Sequence, residues 1–349
     1  MRIEARENVS LPARIAAPAV AAAIAMIVCA ILILWTGASP IEAYKLLLSG
    51  ALGSKFALSE TLTRATPLIF TGLAAALAFR AKLWNIGAEG QLYVGACMAT
   101  WLGTGMFEFP APVMVLLLFL AGALAGGLLL LGPTLLKTRL GVDEVVTTLL
   151  LNFIVILFVN WLVFGPWKDP MAMGWPQAAP VIDSASLGQI LPKTRLHWGF
   201  AVALFCALLS WILVRFTTWG YEIRAVGLNP HASRFAGIPV NRVVLRTALI
   251  SGGLAGFAGV SELCGLRGYL TLDLSPGFGY SGIVVAMLAA LHPLGVVLSA
   301  IFVAVISIGA DSMSRSLNIS NYIAEVATAV SLLAVLASMF FSQYRINWR

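Results

Sequence analysis

The chain has 349 residues, 60% of them hydrophobic and 11% charged, with 22 Lys and Arg against 15 Asp and Glu for a net charge of +7. A mean hydropathy of +0.93 lies outside the range of globular proteins, where roughly 25% of residues are charged. The basic residues sit mainly at the ends of apolar runs, where they set membrane topology rather than bind nucleic acid. Cys29, Cys97, Cys206 and Cys264 have no C-x-x-C spacing and only three histidines could join them, so neither a disulfide framework nor a zinc centre is indicated.

A requirement of about 20 apolar residues per span predicts about ten membrane helices, near 15–36, 61–80, 87–107, 111–136, 142–164, 197–216, 243–264, 280–292, 294–311 and 321–342. The expected fold is all-α and polytopic, one transmembrane domain over 1–349, with broken or short helices near 83–95 and 264–293. The first run follows Arg2, Arg6 and Arg14. It is longer than the apolar region of about 7–15 residues in a signal peptide and reads as a retained span. The eighth is too short to cross alone and Pro293 separates it from the ninth, so eight full spans plus a re-entrant pair is the alternative count.

Between the second and third spans, 83–91 reads LWNIGAEGQ. An ionised Glu at mid-bilayer costs about 2.5 kcal/mol or more, so Glu89 has to face a wet cavity, pair with a cation or lie at the interface. Gly87 and Gly90 permit non-helical backbone, which is tolerated at depth only where it is buried in protein or lines water. Two readings stand at this point. Trp84, Asn85, Glu89 and Gln91, joined by Asn152 from the fifth span, line a translocation path; or the stretch is an interfacial turn with Glu89 neutralised by Arg80 or Lys82. Further along, Gly122-x-x-x-Gly126 and Gly252-x-x-x-Gly256 read as close helix packing. Thr147, Thr148, Asn152 and Asn160 either bridge helices or meet a polar solute. The loop 165–196 contains five prolines with Trp167 and Trp175 and can be neither a long helix nor a central strand. It is a docking surface for an extracytoplasmic partner or a rigid cover.

The segment 221–246 is a polar island between apolar runs. Asn229 can cap a helix, Pro230 suits its first position, Gly237 can close it in the left-handed conformation and Pro239 stops it. A helix of about two turns is marginal in water and needs a partner. With the N-terminus inside, 14 of the 22 Lys and Arg fall on the cytoplasmic side, Arg224, Arg234, Arg242 and Arg246 among them, and 8 fall outside. Both ends are then cytoplasmic. Glu262 and Glu325 are carboxylates in or near spans, and a proton-coupled transporter using Glu89 or Glu325 is the rival reading. The run 277–282, GFGYSG, matches G-x-G-x-x-G without the preceding strand that gives the pattern its meaning, and no phosphate-binding G-x-x-x-x-G-K-[ST] occurs.

LWNIGAEGQ at 83–91, LGVDEVVTTLLLN at 140–152, EIRAVGLNPHASRFAGI at 222–238 and PGFGYSGIVVAML at 276–288 resemble the permease subunits of ABC importers of the ribose, simple-sugar and nucleoside group, in the nucleoside-type branch. The resemblance implies a non-catalytic subunit of a bacterial cytoplasmic membrane importer that binds no cofactor itself. It pairs with itself or a sister permease among membrane lipid, is driven by a cytoplasmic ATPase that uses ATP and Mg, and receives a nucleoside or simple sugar from an extracytoplasmic binding protein. The segment 217–242 would be the coupling element, with Phe235 and Ile238 as apolar anchors, His231 and Arg234 as polar contacts, and Arg224, Asn229, Pro230 and Gly237 shaping it.

Overall fold

The computed structural model describes residues 2–5, 26–31, 33–35, 37–318, 344–347 and scattered positions between 320 and 337. The helices are α1 (Pro40–Leu52), α2 (Lys55–Arg80), α3 (Ala88–Gly103), α4 (Ala111–Leu140), α5 (Glu144–Phe164), α6 (Gly199–Phe216), α7 (Thr218–Leu228), α8 (Pro230–Phe235), α9 (Val240–Glu262), α10 (Phe278–Leu288) and α11 (Pro293–Leu317). A π-turn, Leu263–Arg267, extends α9. The architecture is all-α, as expected; its one strand pairing among the described residues is short, with β1 (Arg2–Ala5) and β2 (Tyr344–Asn347) antiparallel, Arg2 opposite Asn347 and Ala5 opposite Tyr344.

Among the described residues, α2, α4, α5, α6, α9 with its π-turn, and α11 are long and apolar enough to cross a membrane. Met26–Trp35 and Pro40–Leu52, bent by 114°, make a seventh span if the pair is counted as one. The expected ten are therefore not all found among the described residues. Most of the span near 321–342 and much of the one near 15–36 lie outside the described residues, and so does Glu325. The third and eighth are short: α3 has 16 residues and α10 has 11. The ninth is no half-helix, since Pro293 starts the 25-residue α11. Hydropathy counts apolar residues and is blind to where the backbone leaves the helix.

The chain forms two compact units, Met1–Thr61 with Ile301–Arg349, and Leu62–Ala300. In the first, Ile33, Ala43, Ala310 and Met313 form a small core, and Gly50 lies so close to Ser312 that a Cβ would overlap it. In the second, α9 is the central element. A Cβ on Gly252 would overlap the Gly126 carbonyl, and one on Gly256 the Gly122 carbonyl, so the two small-residue pairs read from the sequence pack on each other. Gly95 meets Gly256 from α3, and Gly259 meets the Leu92 carbonyl. The outer surface is apolar: Leu150, Phe153, Ile154, Leu157, Phe158, Trp161 and Phe164 of α5 are all exposed, as expected of a helix facing lipid.

Candidate functional site

After α2 the chain turns at Ala81 and Lys82, the latter at φ 53°, and runs without helix to Gly87. Ser251 of α9 donates to the Ala74 carbonyl at 2.7 Å and accepts from Asn85 at 3.1 Å. Ala74 is six residues before the end of α2, so Asn85 lies about 9 Å inside that end at 1.5 Å per residue. At such depth every backbone group needs a protein partner. One stripe of α5 supplies most of them: Trp84 N–H donates to Glu144 (3.1 Å), Ile86 N–H to Thr148 (3.3 Å) and Gly90 N–H to Asn152 Oδ1 (2.8 Å). The Asn152 amide N–H in turn donates to the Ile86 carbonyl (2.9 Å) and the Tyr280 hydroxyl (3.1 Å). Asn85 and Gln91 exchange two amide hydrogen bonds of 2.9 and 2.8 Å, and Asn85 Oδ1 accepts from Gly87 N–H. Lys137 of α4 pairs with Glu144 and also donates to the Lys82 carbonyl. Asn85, Gln91 and Asn152 are buried, with their polar groups committed to the chain, whereas Trp84 is 45% exposed and packs on Phe79.

Glu89 does not meet Arg80 or Lys82, which donate to the carbonyls of Leu291 and Leu228. Its buried carboxylate accepts from Gly279 N–H at 2.6 Å, while Gly277 and Phe278 N–H donate to Ser275 Oγ at 3.2 and 3.0 Å. It therefore caps the first turn of α10, whose free N–H groups favour an anionic oxygen. A Cβ on Gly279 would overlap the Glu89 backbone, and Gly277 sits at φ +89°, where glycine is favoured. Tyr93, one turn along α3, donates to the Leu272 carbonyl (2.5 Å) and accepts from Ser275 N–H (3.3 Å). The GFGYSG run is thus a helix entry clasped by α3, and the two broken regions form one assembly.

At the polar island, Asn229 Oδ1 accepts from His231 and Ala232 N–H at 3.0 and 3.1 Å, and Gly237 closes α8 at φ +81°. His231 and Arg234 are exposed and Ile238 is half-buried. Phe235 is 97% exposed. The sequence reading expected one helix here and the structure has two, since α7 precedes α8, capped by Thr217 and burying Gly220, Ile223 and Val226. Arg224 points inward to the Val214 carbonyl and braces α7 against α6.

The loop 165–196 folds back on the ends of the helices: Ala178, Val181 and Leu187 N–H donate to the carbonyls of Leu270, Gly268 and Cys264, and Ile182 N–H donates to Gly103. His197, beside it, accepts at Nδ1 from Gly199 N–H (3.2 Å), while its buried Nε2 has no partner among the described residues. Burial lowers its pKa to about 4. The four cysteines are buried, and neither a disulfide nor a cluster suited to a metal occurs among the described residues.

Sequence reasoning missed Glu144, Lys137, Ser251 and Tyr280. Glu144, Thr148 and Asn152 recur every four residues, and that single polar stripe on an apolar helix was the available signal. The family model described as "Branched-chain amino acid transport system / permease component" matches residues 57–343, and the chain belongs to that family. It is 36% identical to the guanosine ABC transporter permease protein NupP of Bacillus subtilis (strain 168), covering 92% of each chain. It is 33% identical to the glucose ABC transporter permease protein of Haloferax volcanii, over 88% of this chain and 83% of that one. Against the nucleoside ABC transporter permease protein NupB of Lactococcus lactis subsp. cremoris the identity is 30%, over 92% and 90%. No solved structure matches the chain.

Proposed function

We propose that this chain is the transmembrane, non-catalytic subunit of an ATP-driven importer in a bacterial cytoplasmic membrane, moving a nucleoside inward, with a simple sugar as the alternative cargo. Relatives named for guanosine, nucleoside and glucose transport support the cargo class. The observation that carries the coupling role is α8, a six-residue capped helix that projects Phe235 at 97% exposure and follows α7, whose last residue, Leu228, is 82% exposed. A helix so short is not self-sustaining, and an exposed aromatic on a capped helix fits a protein pocket. The partner is a cytoplasmic ATPase that binds ATP and Mg, with both chain ends on its side of the membrane. A second permease and an extracytoplasmic binding protein complete the importer. ATP binding would act through differential contacts of α7 and α8 in the inward- and outward-facing states.

The Trp84, Asn85, Glu89, Gln91 and Asn152 group frames the path in this reading by holding α3 and α10 in place, with Trp84 the member most open to cargo. Proton coupling through Glu89 is disfavoured because its carboxylate caps α10 through Oε2. The test is uptake into vesicles carrying the permease and its partners, with ATP inside and an uncoupler present. Uptake is expected to persist, and Phe235→Asp is expected to abolish both uptake and ATPase co-purification while the permease still reaches the membrane. Loss of uptake with the uncoupler at constant ATP would sink the ATP-driven reading; an intact complex in Phe235→Asp would sink the docking assignment.

A further inference from the structure

Arg64 is the one basic residue of α2 between its two ends, Lys55 and Arg80, sixteen residues or about 24 Å from the Arg80 end at 1.5 Å per residue. A cation inside a span is costly and marks a functional site by default. Its guanidinium carbon lies 5.0 Å from the centroid of the Phe278 ring. That contact is with the face of the ring and supplies no hydrogen-bond acceptor, so it does not engage the five N–H donors of the guanidinium. Among the described residues Arg64 makes no hydrogen bond. Its charge acts on Glu262, the 3% exposed carboxylate that ends α9, yet the two are not at ion-pair distance and Glu262 makes no hydrogen bond among the described residues. The other nearby cation, Arg267, is occupied by Asp273, with an ion pair of 3.9 Å and a hydrogen bond of 3.2 Å to its carbonyl. The ring beneath Arg64 is fixed, because Thr71 donates to the Phe278 carbonyl at 2.9 Å and Glu89 caps the same turn.

We propose that Arg64, set over Phe278, and the buried Glu262 form a solute subsite for an uncharged molecule carrying both hydrogen-bond acceptors and hydroxyl donors. This rests on the importer reading above and sharpens it. The guanidinium fork would receive acceptor atoms of a base edge or sugar, and the carboxylate would receive hydroxyl protons. The two charges cancel, so the subsite suits a nucleoside or sugar better than its phosphorylated form. The hydrogen-bonding capacity of the two side chains gives the solute partners for the groups it strips of water.

The experiment reconstitutes the permease with its ATPase and saturating binding protein, and compares uptake of guanosine, 2′-deoxyguanosine and glucose. Arg64→Gln is expected to cut guanosine uptake at least tenfold and to change the guanosine to 2′-deoxyguanosine ratio, with Arg64→Lys partly active and ATPase co-purification intact. Glu262→Gln, nearly isosteric, should shift the same ratio. The double variant Arg64→Gln with Glu262→Gln removes both charges and keeps the site neutral; it should remain defective. Wild-type uptake and ratio in the double variant would show that the two charges only compensate each other and would overturn the proposal, as would loss of the assembled complex in every variant, Arg64→Lys included. A wild-type protein that imports glucose and no nucleoside would correct the cargo, and the same variants then decide the subsite from glucose uptake.

Discussion

Glu89→Ala removes the carboxylate that accepts from Gly279 at 2.6 Å, leaving that buried N–H group in the first turn of α10 without its acceptor. Losing a helix N-cap costs about 0.5–2 kcal/mol, and stranding a buried donor about 1–3 kcal/mol. These terms overlap, so the expected loss is about 2–3 kcal/mol, felt where α3 and α10 meet. Glu89→Gln keeps one acceptor oxygen and should lose about half as much. The assay is thermal unfolding of the purified permease in detergent beside nucleoside uptake in vesicles. Glu89→Ala should unfold several degrees below wild type and transport more slowly with the ATPase still docked, and Glu89→Gln should fall between. A Glu89→Ala protein that unfolds with wild-type stability but does not transport would refute the cap and return Glu89 to direct contact with cargo.

His197 gives a pH signature. Its pKa falls from 6.5 to about 4 on burial, so the folded state binds fewer protons than the unfolded one: the stabilisation is complete above 6.5 and is lost as pH falls toward 4, at most about 3 kcal/mol. His197→Asn retains an acceptor for Gly199 N–H without titrating, so its unfolding temperature should fall less than that of wild type between pH 7.5 and 4.5; equal slopes would refute the assignment. The glycine contacts predict a contrast within α4 and α9. Gly256→Val drives a side chain into the Gly122 carbonyl, and folded protein should be lost, whereas Gly132, with nothing within 4 Å of its Cβ position, should accept Ala with a gain of up to about 1 kcal/mol in helix propensity. Expression and unfolding of both variants decide it, and a stable Gly256→Val would show that the helices do not approach at that point.

The features read correctly from the sequence depend on near neighbours. Asn229, Pro230 and Gly237 mark the start and end of α8 within nine residues, because capping is decided by a side chain and the next two or three N–H groups. The small-residue pairs at 122/126 and 252/256 each mark a face of one helix, and they could be recognised before it was known that they meet. The α7 helix was overlooked because Thr218–Leu228 contains two glycines and buries only three residues, too weak a periodicity to separate from a polar loop.

What the sequence did not disclose is what sits opposite. An Asn, a Glu and a Gln beside two glycines look like a polar lining if their partners are unknown. Here the partners of Trp84, Ile86 and Gly90 lie sixty and more residues away on α5, one partner of Asn85 lies 166 away on α9, and that of Glu89 lies 190 away on α10. A broken backbone inside a membrane must recruit side chains to replace its lost helical bonds, so polar residues beside the break are expected whether or not cargo passes. Polarity alone therefore cannot distinguish scaffold from path. Unused hydrogen-bonding capacity can: Asn85, Gln91 and Asn152 have spent theirs within the chain, while Arg64 and Glu262 have not. On that criterion the search for cargo contacts moves from the conspicuous motif at 83–91 to a pair of residues that the sequence presents only as two isolated charges.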